Sequence, residues 1–445
     1  MRKELLALSL VAPSLLLAQN GYEAIPKLHP SPSHEETPMS REDTDDCCYD
    51  ECSCECYTPC CCEPCCVPEP KKCIDCECYT PQYYDLQCDW GAFFNVDFLY
   101  WYARESNLAY ASKVQSLTTT TSALVDESQI FVPKTYEHLD TAWDPGVRIG
   151  LGWNSSCDGW DLYLNWTYFQ NKEKDSISVP NYGEDRLSPE TRIFIPANGE
   201  CALINPWLNA SLHGPEEVQS FDAMAAKWRL RYNNIDLELG RKYWLSKCFT
   251  LRPYTGLRGA WTNTKFQVEA FRNPSVDLSQ SFENQFTNKY WGVGFVGGIQ
   301  PNWYFCRNFI LFANFEGSLI WGKSEMDNQE GQVEFESLSQ GEAPQLVIEY
   351  SNTSTNNFFK MQGILDLAIG LRWEETWCCD RYRTTLDLGW EHHMWFNHNT
   401  RTVTLDYFQN LVTDPTFIAN GYRTFAENTT DTMFGGFVLR ARFDF

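Results

Sequence analysis

Residues 433–445 alternate with a period of two. Met433, Gly435, Phe437, Leu439, Ala441, Phe443 and Phe445 stand on one side, and Phe434, Gly436, Val438, Arg440, Arg442 and Asp444 on the other. A chain patterned this way is a β-strand with one apolar face and one face that becomes charged toward its end. Two environments accept such a strand. In a soluble sandwich it is an amphipathic edge strand. In a membrane its apolar face meets lipid, its other face meets a lumen, and the sheet must close so that no edge is left unpaired.

Composition favours the second environment. Aromatic residues make up 15% of the chain and include 17 Trp, more than a soluble core needs; membrane barrels place Tyr and Trp in girdles at both interfaces. Beyond the N-terminus there is no run of about 18 or more apolar residues, so no helix is expected to span. The formal net charge of −24 argues against a nucleic-acid partner.

The chain begins with Arg2 and Lys3, an apolar run over 5–17 and then Ala18, the layout of a secretory signal, expected over 1–18. Residues 19–46, rich in Pro, Ser and acids, read as a disordered linker. Residues 47–88 hold fourteen of the twenty cysteines: Cys47, Cys48, Cys52, Cys54, Cys56, Cys60, Cys61, Cys62, Cys65, Cys66, Cys73, Cys76, Cys78 and Cys88. Within them, Cys54-Glu55-Cys56-Tyr57-Thr58-Pro59 returns as Cys76-Glu77-Cys78-Tyr79-Thr80-Pro81. Too little apolar surface is present for a core, so covalent or metal links must supply any order. A metal cage needs reduced thiolates, whereas an exported chain meets an oxidising compartment. Disulfides are therefore expected and no metal centre. Adjacent cysteines rarely bond each other, so these runs point to other segments or other chains, in a periplasmic cross-linking arm.

From Trp90 alternation recurs. Phe94, Val96, Phe98 and Tyr100 oppose Asn95 and Asp97; Val147, Ile149, Leu151 and Trp153 oppose Arg148 and three glycines; Leu162, Leu164 and Trp166 oppose Asp161, Asn165 and Thr167. Each stretch has about the length that crosses a bilayer with tilt. Trp228, Leu230 and Tyr232 share one parity but Ile235, Leu237 and Leu239 the other, which predicts a bulge near Asn233 and Asn234. Pro253, inside the strand expected over 249–260, costs a ladder hydrogen bond. Strands over 290–300, 308–321, 359–373, 382–395 and 433–445 bring the count to ten. Further hairpins, 332–338 with 345–351 and 402–408 with 422–427, keep twelve to sixteen compatible. The expected fold is thus all-β: a transmembrane antiparallel up-and-down barrel over 90–445.

An even count puts both chain ends on the side of the short turns. Those fall near Cys157, Cys248 and Cys306 and at Cys378-Cys379; the long connections are 104–142, 171–224, 271–287, 323–357 and 397–431. Every short turn carries cysteine, and only Cys201 falls in a long connection.

Three segments carry a family likeness: Phe94-Asn95-Val96-Asp97-Phe98-Leu99-Tyr100-Trp101, Gly146-Val147-Arg148-Ile149-Gly150-Leu151-Gly152 before Asp158-Gly159-Trp160-Asp161, and Arg252-Pro253-Tyr254-Thr255-Gly256-Leu257-Arg258. Over 90–445 the chain resembles the Legionella-type major outer membrane proteins, including the MOMP-like porins of Chlamydia-related bacteria. The resemblance implies a bacterial outer-membrane porin among outer-membrane lipid, without cofactor, disulfide-linked to other cysteine-rich envelope proteins and compatible with a homotrimer. It also implies that the barrel assembly machinery reads Phe443 and Phe445. The cysteine-rich segment departs from the family pattern, which leaves open whether transport or wall strength is the main duty.

Inward parity assigns Arg148, Arg229, Arg252, Arg258, Arg372, Arg383, Arg440 and Arg442 to the pore, facing Asp97, Asp161, Asp236, Glu238, Glu316, Asp366, Asp387 and Glu391. Opposed arginine and carboxylate faces would set a transverse field that orients small polar solutes, and the arginine ladder near the closing seam points to a weak anion preference; alternatively the charges pair across a wet lumen and hold the wall's shape. Ten strands leave little bore. A narrow or closed barrel serving as a structural envelope protein or an adhesin is therefore the alternative to a porin for small hydrophilic solutes or ions. Glu391, His392 and His393 form the densest imidazole cluster. Adjacent strand residues point to opposite faces, however, so this is not read as a catalytic site.

Overall fold

The structure is a computed structural model of the 445-residue chain. It describes residue 86 and residues 91–120, 127–155, 159–179, 201–207, 221–246, 248–275, 278–306, 308–336, 345–378, 380–409 and 420–445. The expected signal segment 1–18, linker 19–46 and cysteine arm 47–88, Leu86 excepted, lie outside the described residues, as do Cys157 and Cys379.

In chain order the strands are β1 (Ala92–Glu105), β2 (Ala109–Thr120), β3 (Glu127–His138), β4 (Trp143–Asn154), β5 (Trp160–Ser178), β6 (Cys201–Ile204), β7 (Ala223–Arg241), β8 (Tyr243–Ser246), β9 (Phe249–Ser275), β10 (Leu278–Cys306), β11 (Phe309–Glu336), β12 (Gln345–Trp377), β13 (Tyr382–Gln409) and β14 (Asn420–Asp444). Ten of them form a closed antiparallel barrel in the order β1-β4-β5-β7-β9-β10-β11-β12-β13-β14. The final strand closes the ring on the first, from Phe93 opposite Asp444 to Glu105 opposite Thr432. The short β8 continues β7 after Lys242 and pairs with the start of β9. Pro253, which has no N–H to give, lies opposite this interruption.

The outward parity is apolar over one band. Phe98, Leu151, Leu257, Phe295, Leu319, Leu388 and Leu439 all face outward and are exposed, Phe295 by 72%. Against lipid each such side chain gains about 1.5–3 kcal/mol relative to water. Trp143 and Trp153 mark the band's two edges on β4. Ten residues of strand span about 34 Å, or about 25 Å at a tilt near 40°. Trp160, Trp303, Trp377 and Tyr382 line the short-turn edge, and Trp261, Trp291, Trp321 and Phe359 the other. Beyond that second ring the outward positions turn polar, with Asn263, Lys265 and Gln267 on β9 and Glu325, Asp327 and Gln329 on β11.

Three expectations are corrected here. The segments 332–338 with 345–351 and 402–408 with 422–427 are no extra hairpins; they prolong β11 with β12 and β13 with β14 beyond the lipid band. Correspondingly, the long connection 271–287 shrinks to residues 276–277. No bulge occurs at Asn233 and Asn234, because β7 runs in continuous register with β9 from Ala223 to Gly240. Its apolar residues change faces because the surroundings change. Ile235, Leu237 and Leu239 meet lipid, while Trp228, Leu230 and Tyr232 point inward to a packed interior.

That interior fills the long-strand half of the barrel. Strands β2, β3 and β6 form a separate small sheet, with Leu203 bridged to Phe221. Their side of the packing supplies Leu108, Tyr110, Ala111, Leu203 and Trp207 against Trp228, Phe266 and Phe286 of the wall. Cys201, expected in a long connection, has its backbone in β6 opposite Gln115.

The candidate functional site is the barrel lumen

At the short-turn end, inward side chains of β1, β4, β13 and β14 form one ion-paired cluster. Asp97 lies 3.1 Å from Arg148 and 2.8 Å from Arg440, and Arg148 reaches across to Glu391 at 2.8 Å. His393 sits 3.5 Å from Glu391 and 2.7 Å from Asp366. Arg258 then binds Asp366 at 2.6 Å and Asp236 at 2.7 Å, and also pairs with Glu316. The chain of charges therefore runs through the lumen and ties β14, β1, β4, β13, β12, β9, β7 and β11 together. Alongside it, Arg252 clasps Asp161 and Glu238, and Arg372 grips Asp387 through two bonds of 2.8 Å. Arg442 pairs with Asp444 at 2.6 Å and lies 3.6 Å over the Phe93 ring. Such charges are tolerated away from bulk water only when paired, and removing one partner costs about 3–5 kcal/mol.

Of the residues assigned to the pore by parity, Arg148, Arg252, Arg258, Arg372, Arg383, Arg440, Arg442, Asp97, Asp161, Asp366 and Asp387 point inward at this end. Arg229 does not: it shares the outward parity of Arg231 and Ile235 and donates to Gln170 on the outer wall at 3.1 Å. The charges are not sorted into opposed faces, since arginines and carboxylates touch each other along the seam and Arg148 and Arg440 share Asp97. A cavity of about 220 Å³ lies among Arg148, Asp236, Arg252, Arg258, Glu391 and His393.

Above this cavity the lumen is crossed by rings. Trp101 packs on Phe169, His393 and Phe434 at centroid distances of 5.4, 4.7 and 5.8 Å. Tyr232 contacts Phe434 at 4.7 Å and Trp395 at 5.8 Å, and Trp395 stacks edge-on to His398 at 4.7 Å. Strands β7 and β13, which carry Tyr232 and Trp395, stand five apart either way round the ring, so this contact spans the full bore. The indole N–H groups of Trp101 and Trp395 are buried with no acceptor among the described residues.

Beyond this aromatic septum lies a second cavity of about 210 Å³, lined by Trp207, Phe266, Phe286, Asn288, Asn399 and Arg401 among others. Arg401 lies over the Phe266 and Trp207 rings at 4.9 and 5.2 Å and pairs with Glu105 at 2.6 Å, which also accepts from the Trp228 indole. Near this end burial pushes the Glu173 carboxyl up to about 7, against a bond donated by the Ala142 N–H.

Sequence parity missed the septum, although one signal was present: Phe434 and Val438 stand on the polar side of the last strand. His393 points inward and His392 outward, on adjacent positions of β13. Cys248 and Cys378, at two of the short turns, are disulfide-bonded within the chain. Among the described residues no three His, Cys, Asp or Glu side chains converge as a metal site.

A closed antiparallel barrel with a lipid-facing band, aromatic rims and a charge-paired interior is a β-barrel membrane protein. The chain belongs to the family of the Legionella pneumophila major outer membrane protein precursor, whose family model matches residues 87–445, and the bacterial outer membrane is its location. Among solved structures, the outer membrane protease OmpT of Escherichia coli is similar over 82% of this chain and 99% of that chain, at 7% identity and a TM-score of 0.32. A deletion mutant of the monoaromatic hydrocarbon channel TodX is similar over 80% and 90%, at 8% identity and 0.23. A Pseudomonas aeruginosa FadL homologue is similar over 80% and 90%, at 8% identity and 0.18. Likeness at these scores carries no argument about activity. No curated relative matches the chain.

Proposed function

We propose that the barrel is a porin for small hydrophilic solutes or ions that rests closed and is tied into the envelope by disulfides. The observation that carries this reading is the interrupted path: two cavities of about 220 and 210 Å³, each lined by polar and apolar side chains, lie along one barrel, and packed aromatic rings part them. The layer is not optimally satisfied, since its two buried indole donors, without acceptors among the described residues, cost about 1–3 kcal/mol each. The second reading, a structural envelope protein with a permanently shut barrel, is favoured by the lumen's charge clamps and by the disulfide-bonded Cys248 and Cys378.

Planar-bilayer recording of the refolded protein separates the two. The native chain is expected to open rarely, in steps, and the double variant Tyr232→Ala/Trp395→Ala to open often. Silence from both overturns the pore and leaves the structural reading.

A further inference from the structure

The outer wall of β5, β7 and β9 carries a cluster of bases in a chain whose acids outnumber its bases 59 to 35. Lys172 stands directly opposite Arg229, and Arg229 directly opposite Lys265. One step farther from the membrane Lys174 faces Lys227; one step nearer, Arg231 and Lys289 flank Asn263. All point outward, and all except the half-buried Arg229 are exposed.

Like charges directly opposite on an antiparallel pair repel, and an exposed sheet face ordinarily avoids them. Intramolecular acids relieve only part of this cluster. Glu269 holds Lys227 at 2.8 Å, and Asp327 stands 3.9 Å from Lys289. The side chains of Lys172, Lys174, Arg231 and Lys265 have no carboxylate partner among the described residues, although the Lys172 backbone N–H donates to Asp144, and the Arg229 side chain bonds the neutral Gln170. Height makes the placement specific. Arg231 and Lys289 lie two residues beyond the level of Trp261 and Trp291, the outer edge of the lipid band, and Lys174 and Lys227 a few residues higher. Immediately below them, Ile235, Leu237 and Leu257 offer an acyl-chain wall.

We propose that this face binds the phosphate groups of the glycolipid that forms the outer leaflet. Lysine and arginine donors at headgroup height meet phosphate oxygens in charge-assisted hydrogen bonds, while the same lipid's chains lie on the apolar wall beneath. A soluble anion would gain nothing from that wall. A lipid carries both halves of the match.

The test uses the full-length folded protein in micelles and three probes: diphosphoryl lipid A, its dephosphorylated form and inorganic phosphate, each titrated and read by native mass spectrometry. The native protein is expected to prefer the phosphorylated lipid by at least about tenfold and to take up inorganic phosphate only weakly. The triple variant Lys172→Gln/Arg231→Gln/Lys265→Gln is expected to lose about a hundredfold in affinity for the phosphorylated lipid, and the corresponding Lys→Arg variant at positions 172 and 265 to keep it. Equal affinity for the two lipids, unchanged binding by the triple variant, or inorganic phosphate bound as tightly as the lipid would each overturn the proposal. If the triple variant fails to fold, the comparison of the two lipids on the native chain still decides.

Discussion

Arg258 is the most heavily used cation in the lumen, bonded to Asp236, Glu316, Asp366 and the Ser318 hydroxyl. Its guanidinium separates carboxylates from three strands, of which Asp366 alone also has His393 beside it. Arg258→Met is therefore expected to lower stability by about 3–5 kcal/mol, measured as the urea midpoint of the folded protein in micelles. Lys227→Gln removes an exposed partner of Glu269 and is expected to cost under about 1 kcal/mol. Equal shifts for the two would mean that the buried charges are solvated and the clamp is not one. Arg229 shows where single-residue reading fails: a base flanked by apolar neighbours looks like a lumen residue until its strand partners are known.

At the level of the strand, closure depends on how β14 meets β1. Gly436 lies opposite Trp101 across that seam with φ at +149°, a backbone conformation that side chains rarely adopt. A Cβ there would stand 2.5 Å from the Tyr100 carbonyl oxygen. Gly436→Ala is expected to cost about 1–3 kcal/mol and to reduce the heat-modifiable, folded fraction after refolding on gels; an undiminished fraction would show that the seam relaxes. The lipid band and the ring of ten were legible because outward residues obey one rule, apolar against acyl chains, over every crossing. The inner surface obeys two, charged toward the short turns and aromatic above. Periodicity cannot distinguish an apolar side chain facing lipid from one facing a plug, so Trp228, Leu230 and Tyr232 on β7 imitate a register slip. Above the band the outward positions of β9 and β11 turn polar, so the lipid signal ends there and the prolonged ends of β11 to β14 imitate separate hairpins.

For the whole molecule, the question is what the sulfurs join. Cys248 and Cys378 already have partners within the chain, so the proposed links to neighbouring envelope proteins fall chiefly to the cysteines of 47–88. Isolated outer membranes run on gels without and with thiol are expected to give ladders that collapse to a monomer, and Cys248→Ser is expected to leave the ladder in place. Identical migration in both lanes would remove cross-linking from the account.

Strand β11 goes on for fifteen residues past Trp321, to Glu336, which is about 50 Å of extended chain. The wall on that side thus stands well clear of the bilayer, and a large particle arriving from there meets the strand ends before it meets the level of the fatty acids.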